Sequence, residues 1–170
     1  MAAENSSSVE RITSLPAVYS LFFLWIEPIS TVLGAIYAHF LPQLYLELTH
    51  AASAPSAVSG VPVGTKVALT QLGNLYLAFA IIEALVLRST NDLGVWRVLL
   101  LGLLIGDFGH LYSVWELGSE GYWKFWAWNS INWGNVGFVY CVVLIRIAFL
   151  CGVGIKSSRD TQEVIRKKTR

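Results

Sequence analysis

Glu27, Glu83, Asp107, His110 and Arg146 stand inside stretches otherwise made mostly of Leu, Val, Ile, Ala and Phe. An ionisable group within a bilayer costs at least about 2.5–3.5 kcal/mol on insertion scales, so each needs a partner or a purpose. Glu27 is the sharpest signal. It precedes Pro28, which lacks an N–H and so frees the carbonyl near residue 24, a common cause of a kink. With no Lys or Arg at matching depth, Glu27 is expected to carry its proton. A neutral carboxylic acid in an apolar site can donate a hydrogen bond or a proton. The implied chemistry is general-acid catalysis or proton exchange; the blander reading is a protonated Glu27 bonded to the freed carbonyl.

Asp107 and His110 lie three apart, a spacing that puts both on one helix face. Gly102, Gly106 and Gly109 surround them, and such small residues let helices approach closely. Gln71, Asn74, Asn132 and Asn135 fall at similar depth on neighbouring segments, so the pattern predicts a polar pocket. The alternative is interhelical hydrogen bonding alone, worth about 0.6 kcal/mol per contact. Glu83 and Arg146 enter from the same end and are expected to form a structural ion pair, Arg146 leaning over by snorkelling. Trp115 and Trp133 border the predicted pocket, and their faces can stabilise a desolvated cation by about 2 kcal/mol. Trp123 and Trp126 fit a membrane-interface belt. Trp25 lies near Glu27 on a different face, with its role open.

Composition says what positions these groups. The chain has 170 residues, 55% hydrophobic and 14% charged, with a mean hydropathy of +0.56. Soluble domains carry about 25% charged residues. That deficit, with a net charge of only +1, excludes a disordered chain, a nucleic-acid-binding basic domain and an ordinary cytosolic enzyme. A helix crosses a bilayer core with about 20 apolar residues, and residues 16–40, 66–87, 93–115 and 131–155 qualify. Ser14 is the expected cap of the first. Residues 41–65, 88–92 and 116–130 connect them, with residues 51–60 expected as mobile coil. No internal repeat is present.

The predicted fold class is all-α, a four-helix transmembrane bundle with both termini cytoplasmic. It divides into an N-terminal tail (1–14), a membrane domain (15–155) and a basic tail (156–170). Orientation follows from Arg88, Arg97, Lys156, Arg159, Arg166, Lys167, Lys168 and Arg170 on one side, against Lys66 and Lys124 on the other. The Asn5-Ser6-Ser7 acceptor would then never meet the glycosylation machinery. The first apolar run is too long for a signal-peptide core and is expected to stay in the mature protein. Cys141 and Cys151, on one helix about 15 Å apart, cannot form a bridge. His39, His50 and His110 are scattered without metal-ligand spacing, so neither a metal nor any cofactor is implied. No nucleotide-binding loop or nucleophile elbow occurs.

Four strings, Trp25-Ile26-Glu27-Pro28, Glu83-Ala84-Leu85-Val86-Leu87-Arg88-Ser89-Thr90, Gly106-Asp107-Phe108-Gly109-His110 and Trp133-Gly134-Asn135-Val136, make the chain resemble a family of small four-helix membrane proteins of filamentous fungi. The resemblance covers residues 15–155 and implies topology more than activity. A looser likeness is to fungal membrane-bound terpene cyclases of meroterpenoid pathways. These are aromatic-rich helical bundles whose buried acids protonate a prenylated epoxide or alkene. This chain has about half their helices, and their motifs do not align residue by residue. The sterol-isomerase-type fold shares the helix number.

The resulting expectation is a membrane-embedded, acid-catalysed terpene cyclase or isomerase of the endoplasmic reticulum, acting on a hydrophobic prenylated substrate in secondary metabolism. Glu27 or Asp107 would be the general acid, and His110 would orient or recharge Asp107. Asn74 and Asn135 would bind the leaving oxygen, and Trp115 and Trp133 would line the cation path. The rivals are a small proton-coupled transporter of lipophilic compounds, compatible with a homodimer, and a non-catalytic membrane partner whose basic tail attracts anionic lipid.

Overall fold

With no water to satisfy it, backbone in a hydrocarbon core must bond to itself, so long apolar runs become helices. The computed structural model describes residues 9–169; Glu4 and the Asn5-Ser6-Ser7 acceptor lie outside them. Its helices are α1 (Ala17–Phe40), α2 (Pro42–His50), α3 (Val63–Ser89), α4 (Leu93–Leu117, its last turn 3₁₀), α5 (Glu120–Trp123), α6 (Ser130–Leu150) and α7 (Ser158–Lys168). Four of them, α1, α3, α4 and α6, are long and apolar enough to cross a membrane.

Capping follows local chemistry. Asp92 accepts from the backbone N–H groups of Gly94 at 2.8 Å and Val95 at 3.4 Å, starting α4. Asn129 accepts from Asn132 N–H at 2.9 Å, starting α6. Ser14 does not cap α1: Pro16 holds the cap position, and Ser14 lies in a strand. The fourth helix also stops short of residue 155. Gly152 and Gly154 adopt φ of 77° and 72°, a left-handed conformation that ends a helix and that only glycine adopts without penalty.

Residues 10–14 and 156–158 are tied into the fold. Strand β1 (Ile12–Ser14) pairs antiparallel with β2 (Lys156–Ser157), a small departure from an all-α chain. Ile12 N–H donates to Asn91 O at 2.8 Å, and Leu93 N–H donates to Glu10 O at 2.9 Å. Both tails and the turn between α3 and α4 therefore meet at one end of the bundle, called here the terminal end.

The first connection is also not coil throughout. Its Leu44, Tyr45 and Leu48 fall at helical spacing, and α2 buries Tyr45 against Leu69 and Ile131. This cluster holds the loop end together. A larger one at the terminal end joins Tyr19, Phe22 and Phe23 of α1, Leu87 of α3, Leu93, Trp96 and Leu100 of α4, and Val142 and Phe149 of α6. Phe149 sits edge-on to Tyr19 and Phe23 and stacks with Trp96.

Polarity is reversed relative to a water-soluble bundle. Between 17% and 33% of each long helix's most apolar stretch is buried, leaving Leu, Ile, Val and Phe facing outward. Glu27, Glu83 and Arg146 are instead among the most buried side chains. Such an arrangement loses free energy in water and gains it in lipid.

Candidate functional site

Each long helix contributes one charged residue to a single buried centre. Arg146 of α6, 1% exposed, reaches into the bundle with both terminal nitrogens engaged. Its Nη1 donates to Asp107 Oδ2 of α4, and its Nη2 donates to Glu27 Oε1 of α1. Glu83 Oε1 of α3 lies 3.9 Å from the same Nη2. Arg suits this role because its planar fork presents several donors in fixed directions and keeps its charge when buried.

Local backbone chemistry sets Glu27 in place. Residues Phe22–Ile26 form a π-helical turn just before Glu27–Pro28, a feature common at functional sites. The carbonyl freed by Pro28 belongs to Leu24, and Arg88 Nη2 of α3 donates to it. The Arg88 guanidinium also lies 4.7 Å from the Trp25 ring centroid. This gives Trp25 a role and removes the idea that Glu27 bonds the open carbonyl.

The expectation that no Lys or Arg matches Glu27 in depth is therefore wrong. Counting residues along α6 placed Arg146 near one end, but its long side chain reaches the level of Glu27. The pair foreseen between Glu83 and Arg146 is present at 3.9 Å, yet it is the loosest of three contacts. Asp107, expected beside His110, bonds Arg146 instead. His110 turns its Nε2 to the Asn135 carbonyl at 3.1 Å, inside a second π-helical stretch, Trp133–Phe138.

The other expected pocket residues do not converge. Gln71 and Asn74 are exposed on α3, and Asn132 and Asn135 are half-buried on α6. Trp115 and Trp133 are 64% and 52% exposed. A Cβ added to Gly102, Gly106 or Gly109 meets nothing within 4 Å, so these glycines are not where helices touch inside the bundle. Close approach occurs elsewhere: a Cβ on Gly73 would come 2.5 Å from His39, and one on Gly34 would come 3.3 Å from Tyr76. Two open surface hollows lie at the terminal end, one beside Arg11 and Asp92, the other beside Gly94 and Val98. Neither is lined by the expected site.

The centre is over-supplied with acids. One guanidinium faces three carboxyl groups, and a fourfold junction of this kind cannot hold two uncompensated negative charges in a low-dielectric interior. Glu27 Oε2, Glu83 Oε1 and Arg146 Nε find no hydrogen-bond partner among the described residues. Among the described residues, no group of three or more His, Cys, Asp or Glu is placed to hold a metal ion. Both cysteines are exposed and free.

Sequence reasoning named all four members of the centre but missed their common address. The available signal was pairing by type: Glu27, Glu83 and Asp107 are acids within the four spans, and Arg146 is a cation on the span that holds none of them.

A sequence family described as a domain of unknown function (DUF7704) matches residues 12–156. The match runs from β1 to β2 and takes in the whole charged centre. Its description names no activity, substrate or source. No curated protein and no solved structure matches the chain.

Proposed function

The chain belongs to the DUF7704 family, and we propose that it is an integral membrane protein that binds and releases protons at its buried centre, coupling that exchange to movement of a lipophilic compound. One observation carries the reading: Glu27, Glu83 and Asp107, from three helices, converge on Arg146 of the fourth. A proton arriving or leaving there changes which carboxyls compete for the guanidinium. Every long helix is attached to that contest, so protonation biases how the helices pack. Ionisable groups on facing spans are the usual parts of such relays. The outward apolar surface suits a cargo drawn from the bilayer. Basic residues at the terminal end favour its placement in the cytoplasm, with the endoplasmic reticulum as the proposed membrane.

The test is reconstitution in proteoliposomes with an imposed pH gradient and a lipophilic cation such as tetraphenylphosphonium as probe. Gradient-dependent efflux is expected from the native protein and should be lost in Glu27→Gln. Efflux that ignores the gradient, or survives unchanged in Glu27→Gln, refutes the reading.

A second reading is acid catalysis on a prenylated, epoxidised substrate, in line with the likeness to fungal terpene cyclases. What favours it is the edge of the centre. The Asp107 side chain is 16% exposed, against 8% and 3% for Glu27 and Glu83, and open space adjoins Gly106 and Gly109. A substrate lying in the bilayer would reach Asp107 sideways, with Arg146 and Glu27 positioning it. Turnover of a prenylated epoxide in microsomes that vanishes in Asp107→Asn, without any gradient dependence, would select this reading over transport.

A further inference from the structure

The basic tail is not an extended chain but a built helix with a fixed root. Ser157 and Asp160 form a reciprocal capping box at the start of α7, satisfying two N–H groups that would otherwise be free. Ser158 N–H donates to Arg11 O at 2.9 Å, just beyond the β1–β2 pairing. Glu10 then bridges two elements, lying 3.9 Å from Arg97 in the second turn of α4 and 3.7 Å from Arg159 in the first turn of α7. The root of α7 is thereby tied to the start of α4, one of the four helices long and apolar enough to cross a membrane.

Beyond that root, residues 161–169 are all exposed among the described residues. Val164 and Ile165 are 64% and 59% exposed, and on a helical projection they share a face with Thr161 and Lys168. Arg166, Lys167 and Lys168 crowd the last turn. The opposite face carries Arg159, Glu163 and Arg166, all of which suit water. An amphipathic helix pinned at the rim of an apolar bundle, with a short greasy strip flanked by lysines, is complementary to an anionic lipid surface.

We propose that α7 docks flat on the adjoining leaflet, Val164 and Ile165 entering the headgroup boundary while Lys167 and Lys168 meet anionic headgroup phosphates. The site is a surface for acidic phospholipid and is independent of what the buried centre does. Lysines beside an apolar strip can extend their stems along it and keep their charge at headgroup level. Because acidic lipid is concentrated in cytoplasmic leaflets, the same contact sets the terminal end toward the cytoplasm.

The experiment uses full-length protein with Cys141→Ser and Cys151→Ser, carrying one fluorophore-labelled cysteine at Val164→Cys or, for reference, Glu163→Cys. Each is placed in nanodiscs of brominated phosphatidylcholine with or without phosphatidylserine. Quenching at position 164 should exceed that at 163 and should rise when phosphatidylserine is present. Lys167→Gln and Lys168→Gln should each lower the docked-to-free ratio about fivefold, and high salt should do the same. Amide exchange across α7 in detergent, unchanged by those substitutions, shows that the helix itself survives. Equal quenching at both positions, or no response to phosphatidylserine, overturns the proposal. So does quenching that tracks the number of protein copies per disc, which would make a second chain the occupant.

Discussion

Arg146→Met separates an ionic centre from ordinary polar packing by magnitude. Interhelical hydrogen bonds in membrane proteins average about 0.6 kcal/mol. Removing one partner of a buried, hydrogen-bonded ion pair costs about 3–5 kcal/mol, because a charge is left without compensation. Arg146 is 1% exposed and holds Asp107 and Glu27 directly, with Glu83 at 3.9 Å. Its loss strands three acids at once, so the expected destabilisation lies in the upper range. Met keeps the apolar stem and its packing, which isolates the charge. The assay is equilibrium unfolding of purified protein in mixed micelles by added dodecyl sulfate, followed through tryptophan fluorescence. Arg146→Lys should fall between Met and native, since an ammonium cannot fork to two carboxylates in fixed geometry. Combining Arg146→Met with Glu27→Gln, Glu83→Gln and Asp107→Asn should recover most of the loss, giving strong non-additivity. A loss near about 0.6 kcal/mol for Arg146→Met, or losses that simply add across the four sites, refutes the idea of one coupled centre.

Further outcomes follow from the same geometry. Arg88→Ala should cost about 1.5–3 kcal/mol through the Leu24 carbonyl it abandons. In a Pro28→Ala background, where residue 28 regains its N–H, that cost should largely disappear in the same unfolding assay. Gly137→Ala should destabilise by about 1–3 kcal/mol, because its Cβ would come within 2.8 Å of Trp133 and 2.9 Å of Trp128. Gly106→Ala should be neutral in a single protein copy; loss of a cross-linked dimer on that substitution would instead locate a contact between copies. Asp160→Ala should unlock the capping box, raising amide exchange in the first turn of α7 while leaving α6 protected, at a cost of about 0.5–2 kcal/mol.

Much of the architecture is written in local sequence. Runs of about 20 apolar residues must be helices wherever water is absent, and so the long helices were legible to within a few positions at most ends. The break before Glu27 was legible too, because Pro28 lacks a donor whatever surrounds it. So were the identities of the charged residues, since acids and an arginine in such segments carry an insertion cost that demands partners.

Partnership itself was decided in three dimensions. Whether Glu27 meets Arg146 or lipid depends on how each helix is rotated about its axis and how far a guanidinium reaches, and counting residues from a span's end measures neither. The Leu24 carbonyl found Arg88 from 64 residues away, a separation at which one sequence holds no record of proximity. The same holds for β1 and β2, whose three and two residues are too few to show a pattern. Sequence fixes what each segment must hide or satisfy; only the packed bundle chooses with whom, because that choice minimises the energy of all four helices together.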